Sequence, residues 1–540
     1  MKKHLPWGLL ATVLAVLVWR TWALQVHPES RTLTRLSAQT GGIARTFSNR
    51  GMIVDRRGEP LALSVPAASL YVDPQIWDTK QAHRLKGLIP PQKVRSLSSP
   101  MKGRFFWLDR QIKDVQAKKI LELGLDGLFA LQENRRSYPN GALLSHVLGV
   151  CDIDGHGLSG LERIWDDVLF TPAQWSVRIG GRDGREGEKL KDGIVRLTID
   201  RRIQYILEKH LFAAAMKEKA KWGAALCIES ESGRILGMAS WPTFDGNKRE
   251  SMKTKNMVNC CISRVYEPGS TLKPIVMAMA LQSGIVSKRS HFLDRGRIKV
   301  ADGWISNSHG TGKGKIDLPH VLIYSSNVAM AQIGMKWNPY EAYKDLQAWG
   351  VGHPTGVELN GEESGLLLPP ERWYGVIPSN VAIGQGVAIT PLQLTMAFNA
   401  IANGGRLLRP HVVDEVQDSH GKVVYRSATE VVRNVLSSQY VRWFRNVLRK
   451  VVTEGTGKEA ECSSVKIGGK TGTAQVAEKG TYKKERMVGS FIGYWPYDDP
   501  QYTLLVVLGE PRAGRYYGGE VAAPPFRFMV EDIERLDSGE

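Results

Sequence analysis

The sequence predicts an α+β fold: an antiparallel sheet flanked by helices, preceded by a smaller mixed region and by one amino-terminal apolar segment. Three observations lead there. Residues 5–24 form an apolar stretch long enough to cross a bilayer. Residues 224–229 and 233–240 are apolar runs around a polar turn, a hairpin signature. Residues 271–282 are of helix length and apolar almost all round, which marks a helix buried in a core.

Composition narrows the class. The 540 residues are 42% hydrophobic and 23% charged, values that exclude a disordered chain, a collagen, a coiled-coil rod and a polytopic membrane protein. The cysteines Cys151, Cys227, Cys260, Cys261 and Cys462 are too sparse for a disulfide scaffold, and no C-x-x-C pair points to structural zinc. All five are expected to be reduced or simply buried. The net charge of +18 is spread along the chain without a zinc finger or an aromatic-rich RNA motif. It reads as a solvated basic surface, and no nucleic-acid partner is expected. Attraction toward anionic lipid or cell wall is the second reading.

At the amino terminus, Lys2, Lys3 and His4 precede the apolar stretch. Twenty helical residues at 1.5 Å each span about 30 Å. Pro6 falls in the first turn, Trp7 and Trp22 near opposite interfaces, and Arg20 close enough to the far end to snorkel. Two readings compete: a cleaved signal peptide, for which Thr21-Trp22-Ala23 is a poor site, and a retained single anchor. The length favours the anchor, with residues 1–4 cytoplasmic and the bulk outside the cytoplasm. Gly8, Ala11, Thr12 and Ala15 give this helix a face of small residues that allows close helix approach.

Residues 25–48 read as a polar linker. Residues 50–62, RGMIVDRRGEPLA, read as a strand followed by a turn. Residues 180–193, rich in Gly and charge, read as an exposed hairpin or loop. A strand at 194–199 then leads into an amphipathic helix at 202–219. Helical patterns follow at 390–403 and 440–452, and strands at 465–476, 490–495 and 502–510.

The chemistry begins at Ser270-Thr271-Leu272-Lys273. A Ser at a helix start with a Lys three residues on shares a face with it, and the helix amino end adds positive potential. Burial beside an apolar helix disfavours the ammonium, and a neutral amine can take the Ser proton. The spacing alone is weak, since S-x-x-K recurs at Ser99, Ser419 and Ser463. Ser325-Ser326-Asn327 adds a second hydroxyl and an amide, and Lys470-Thr471-Gly472-Thr473 a cation and two hydroxyls at the end of a strand whose edge an extended peptide could join. Singly these read as a helix cap and a strand end. In this order, about 55 and then a further 145 residues apart, they form a joint signal.

The three fragments resemble the S-x-x-K, S-x-N and K-T-G set of penicillin-binding proteins and serine β-lactamases. The run Arg50-Gly51-Met52-Ile53-Val54-Asp55-Arg56 resembles a class B penicillin-binding protein signature. So do Tyr138-Pro139, His146-Val147-Leu148-Gly149 and Gly160-Leu161-Glu162, which look like the pedestal of that class. Leu197-Thr198-Ile199-Asp200, Glu267-Pro268-Gly269-Ser270, Gly384-Gln385-Gly386, Thr390-Pro391-Leu392-Gln393 and Tyr517-Gly518-Gly519 look like its transpeptidase domain. Glu267 resembles the division-type members. Ala329 departs from a common glycine without touching a catalytic position.

The resemblance implies a cytoplasmic tail at 1–4, a transmembrane anchor at 5–24, and a linker with an elongated, non-catalytic, dimerisation-type pedestal at 25–195. A serine β-lactamase-like transpeptidase domain would occupy 196–540. It implies a peptidoglycan D,D-transpeptidase of the inner membrane, acting outside the cytoplasm on stem peptides of lipid II-derived glycan strands, probed by β-lactams, and needing neither metal nor cofactor. Ser270 would be the nucleophile, Lys273 the favoured proton acceptor, Ser325 the proton relay and Asn327 an orienting amide. Lys470, Thr471, Gly472 and Thr473 would bind the terminal carboxylate, and the N–H groups of Ser270 and Thr473 would form the oxyanion hole. A SEDS-family glycan polymerase and divisome proteins are the implied partners. The alternatives are an elongation-type transpeptidase, a D,D-carboxypeptidase and a penicilloyl-binding sensor or scaffold. Residues 25–195 argue against a β-lactamase.

Overall fold

The computed structural model describes residues 49–103, 105–171, 192–301, 303–478 and 481–539, together with Leu14, Leu17, Trp19 and the backbone of 43–45, 175–179 and 182–183; of 477, 478 and 481–485 it describes the backbone only. The rest of the 5–24 stretch and most of 180–193 lie outside the described residues. Among the described residues no helix is long and apolar enough to cross a membrane.

The chain divides into two compact units. The first comprises residues 1–50, 65–135 and 170–192, and the second 51–64, 136–169 and 193–540. In the first, the distal part of strand Pro60–Val72 pairs antiparallel with Phe106–Ile112, from Ala68↔Ile112 to Val72↔Phe106. Leu70, Val72, Leu85, Leu97, Leu108 and Ile120 form its core, and Arg110 meets Glu133 at 2.8 Å.

The second unit is built on a five-stranded antiparallel sheet. Its strands are β1 (Trp222–Glu229), β2 (Ile235–Trp241), β3 (Gly468–Glu478), β4 (Thr481–Trp495) and β5 (Tyr502–Gly509), in the order β2-β1-β5-β4-β3. Both faces are covered. Ala224, Leu226 and Ile228 of β1 enter one core while Ala225 and Cys227 enter the other, and Leu505 and Val507 alternate with Leu504, Val506 and Leu508 on β5. Side chains alternate faces along a strand, so burial on both sides requires the continuous apolar runs seen in the sequence. Helices α1 (Arg201–Lys217) and α6 (Ala523–Ser538) cover one face. Helices α2 (Lys273–Gln282), α4 (Pro391–Ala402) and α5 (Ser438–Thr453) cover the other, and α3 (Asn327–Gly334) packs in the same core. A Thr390–Gln393 capping box starts α4.

The Arg50–Arg56 run is a structural element here. Met52–Val54 pairs in parallel with Ile194–Leu197, which pairs antiparallel with Val413–Gln417. Asp55 accepts from the N–H groups of Arg57 and Glu59, which closes the expected turn. All five cysteines are free thiols, four of them buried.

Candidate active site

Ser270 sits in a single 3-10 turn, Gly269–Thr271, immediately before α2. The helix begins at Lys273, two residues later than the sequence pattern placed it. Pro274 has no N–H to donate into the preceding turn, so that turn closes with a tighter bond, Leu272 N–H to Gly269 O at 3.0 Å. The turn is clamped from outside. Gly269 N–H donates to Gly384 O (3.0 Å), and Gly386 N–H donates to Glu267 Oε1 (2.9 Å).

Lys273 has no exposed surface. Its Nζ donates to Asn327 Oδ1 at 2.6 Å, to the Ser325 carbonyl at 2.7 Å and to Ser325 Oγ at 3.3 Å. Lys470, on the edge strand β3, is equally buried, and its Nζ reaches Ser325 Oγ and Thr471 O, both at 3.0 Å. The structure therefore brings together Lys273, Ser325, Asn327 and Lys470 from three distant segments. Ser270, Ser325, Thr471 and Thr473 line one open cleft of about 580 Å³. Gly472 stands between the two threonines on β3, and Thr473 Oγ1 accepts from Gly518 N–H at 3.0 Å. The lysines of the other S-x-x-K runs, Lys102, Lys422 and Lys466, are exposed.

Burial holds Lys273 well below the ordinary lysine range; Lys470 pushes the same way, and Asp294 opposes. Burial alone brings Lys470 down to about 7. An amine near neutrality can accept a proton, which is the chemistry the Ser-Lys spacing suggested.

Both readings of Ser325-Ser326-Asn327 are realised at once. Ser326 caps α3, its Oγ accepting from Ala329 N–H at 3.1 Å, while Ser325 and Asn327 face the lysines. Ser325 adopts φ 56°, a left-handed conformation uncommon outside glycine. A support that sequence reasoning missed holds it. Buried Asp294 accepts from Ser326 Oγ (2.8 Å) and from Asn307 Nδ2 (2.8 and 2.9 Å), and Asn307 Oδ1 accepts from Asn327 N–H at 2.9 Å. Thr456 Oγ1 lies 2.7 Å from Thr471 Oγ1, and the His309 and Tyr517 rings stand 5.2 Å apart on the cleft wall. Of these, Asp294, Asn307, His309 and Thr456 belong to no recognisable run. They become visible only when the short strand His291–Asp294 and the Gly303–Ser306 hairpin fold against α3.

With this geometry in place, the comparisons with known proteins are direct. The penicillin binding protein transpeptidase domain family matches residues 223–531, and the penicillin-binding protein dimerisation domain family matches 45–171. The chain belongs to the class B penicillin-binding proteins. It is 33% identical to stage V sporulation protein D of Bacillus subtilis over 89% of this chain and 77% of that one. It is 30% identical to the peptidoglycan D,D-transpeptidase FtsI of Escherichia coli over 98% of this chain and 90% of that one. Penicillin binding protein 3 of Mycobacterium tuberculosis superposes with a TM-score of 0.71 at 26% identity, covering 92% of this penicillin-binding protein and 97% of its own chain.

Proposed function

We propose that this chain is a peptidoglycan D,D-transpeptidase acting in septal wall synthesis. One observation carries the reading: two buried lysines from separate segments converge on Ser325 Oγ in the cleft that holds Ser270. Ser270 attacks the carbonyl between the two terminal D-alanines of a stem peptide, Lys273 takes its proton, and Ser325 passes a proton to the departing D-alanine. Asn327 fixes Lys273 through Oδ1 and leaves its own Nδ2 on the Ser306 carbonyl (2.8 Å). Lys470 supplies charge for the terminal carboxylate, with Thr471 and Thr473 as hydroxyl partners and Gly472 keeping the strand edge open to an extended peptide. The N–H groups of Ser270 and Thr473 receive the oxyanion; one such donor is worth about 10²–10³ in rate. An amine from a neighbouring stem peptide then resolves the acyl-enzyme.

The septal assignment rests on Glu267, as in division-type members, and on relatives named FtsI. In this reading residues 5–24 anchor the protein in the inner membrane, 25–195 form the pedestal, and residues from 196 onward work outside the cytoplasm. A SEDS-family polymerase supplies the strands, and the small-residue face at Gly8, Ala11, Thr12 and Ala15 is the contact.

Mass spectrometry after exposure to labelled penicillin tests the core of the proposal. The adduct is expected on the peptide containing Ser270; an adduct on Ser325, or none, overturns it. Product analysis with an added amine acceptor separates transfer from hydrolysis.

A further inference from the structure

A second groove opens beside the catalytic cleft. It has a volume of about 790 Å³ and shares two lining residues, Glu459 and Glu520, with the cleft that holds Ser270. Its floor is apolar, formed by Ala213 and Ala214 of α1 and by Pro525 and Phe528 of α6, and Phe528 is 41% exposed. Its wall contains Glu218, which is only 3% exposed at the side chain. One Glu218 oxygen pairs with Arg515, while Oε2 has no hydrogen-bond partner among the described residues. A buried carboxylate oxygen without a donor is costly, and a donor arriving with a ligand removes that cost.

The groove is also physically continuous with the reacting centre. The Glu218 carbonyl accepts from the N–H groups of Arg512 and Ala513, at 2.8 and 3.2 Å. The same segment runs on to Tyr517, on the cleft wall, and to Gly518, whose N–H holds Thr473 Oγ1. Charge distinguishes the two peptides of a cross-linking reaction. The donor brings a carboxylate, matched by Lys470. The acceptor brings an ammonium, and the passage between groove and cleft carries two carboxylates.

We infer that this groove holds the acceptor stem peptide, with its amine led past Glu459 and Glu520 to the acyl carbon and one of its N–H groups donating to Glu218 Oε2. The inference rests on the transpeptidase reading above. In the transfer step the acceptor's ammonium first gives one proton to solvent; the neutral amine nitrogen bonds to the acyl carbon, the bond from that carbon to Ser270 Oγ breaks, and the second proton shed by nitrogen returns to Ser270. No oxidant or metal enters the balance.

The test uses the full chain with a D-Ala-D-Ala donor peptide and an amine-bearing stem-peptide acceptor, following penicillin acylation, D-Ala release, and the split between transfer and hydrolysis. Ala213→Trp, which fills the floor from an exposed position, is expected to raise the acceptor KM about tenfold and leave penicillin acylation unchanged. The double substitution Glu459→Gln and Glu520→Gln is expected to lower transfer relative to hydrolysis and to weaken its dependence on salt. Should Ala213→Trp lower Tm, Phe528→Ala, which removes apolar contact without crowding, is expected to raise the acceptor KM in the same direction. An unchanged transfer-to-hydrolysis split and acceptor KM in all these variants, with D-Ala release intact, overturns the groove. A wild-type protein that never acylates Ser270 overturns the transpeptidase reading itself, so the two failures are distinct.

Discussion

Lys273 and Lys470 converge on one hydroxyl: their Nζ atoms lie 3.3 and 3.0 Å from Ser325 Oγ, and neither side chain has exposed surface. Two ammonium groups buried beside one oxygen repel each other, and desolvation penalises both. The arrangement therefore favours shedding a proton from Lys273, on which burial and the Lys470 charge act in the same direction, while burial brings Lys470 to about 7. The proposed roles of base and cation would then fall to one residue type in two different surroundings.

The first prediction is a pH profile. For acylation by penicillin, kcat/KM reports groups of the free protein. The acid limb belongs to Lys273, which must be neutral to accept the Ser270 proton. The alkaline limb belongs to Lys470, which must be charged to hold the carboxylate, and it is expected near its value of about 7. Lys470→Arg keeps the charge at every accessible pH. That variant, though slower because its geometry differs, is expected to lose the alkaline limb. Stopped-flow acylation between pH 5 and 10 checks this; an unmoved alkaline limb in Lys470→Arg assigns it elsewhere.

A second prediction concerns Asp294, a buried residue at the cleft that acts through Ser326 and Asn307. Asp294→Ala leaves the buried Ser326 hydroxyl without its acceptor, about 1–3 kcal/mol, and leaves Asn307 Nδ2 only the Thr311 carbonyl. The loop carrying Ser325 then loses its support. Acylation is expected to fall roughly 10- to 100-fold, as expected when catalytic groups are misplaced by about 1 Å. Circular dichroism is expected to show the sheet retained. A fall in Tm with an unchanged acylation rate would mean Asp294 stabilises the fold and leaves the site alone.

Much of this was legible in the sequence, for identifiable reasons. The central strands are buried on both faces, so 224–229 and 502–510 stood out as apolar runs, and α2 and α4 are apolar all round. Strand β4 was foreseen only from 490, yet it begins at Thr481. Its first half, rich in Lys and Arg, is held by backbone pairing with β3, as in Gln475↔Met487, a signal no hydropathy pattern carries. The three motifs were visible because their residue types are unusual together. Asp294 and Asn307 were not, because a single polar residue at or just past the end of a short strand looks the same whether exposed or buried. Three other S-x-x-K runs equally show that spacing cannot report burial, the property on which the proposed role of Lys273 as a base rests.

Glycine at 384 provides a third prediction. Its φ is +83°, and a Cβ there would stand 2.1 Å from the Gly269 carbonyl oxygen, on the turn that carries Ser270. Gly384→Ala must push that turn away or distort it, in addition to the strain of a left-handed alanine. Gly386 offers the internal control, with φ +70° and nothing within 4 Å of a built Cβ. Both variants are expected to lose about 1 kcal/mol from backbone strain. Only Gly384→Ala is expected to lose acylation by more than about tenfold, because it alone moves Ser270, the proposed nucleophile. Equal acylation in the two variants would show that the turn absorbs the contact.

The last prediction links Lys470 to stability. Its folded value of about 7 lies below the unfolded lysine value of 10.5, so between those pH values the unfolded chain binds a proton that the folded chain does not. Stability from this group therefore rises as pH rises through that window, and the full penalty applies below about 7. The shift corresponds to a few kcal/mol, at about 1.4 kcal/mol per pH unit, reduced by the hydrogen bonds to Ser325 and Thr471 that a substitution would forfeit. Lys470→Met removes the charge and keeps an unbranched side chain of similar length in the buried position. It is expected to abolish nearly all penicillin acylation and yet unfold at higher denaturant than the wild type at pH 6.5, by on the order of 1–3 kcal/mol. At pH 10 the two proteins should approach each other, since the wild-type penalty has nearly gone. Denaturant titrations at both pH values supply the comparison. A difference that stays constant between them would mean the lysine is not the titrating group, and a Lys470→Met variant less stable at pH 6.5 would mean its hydrogen bonds outweigh the cost of burying its charge.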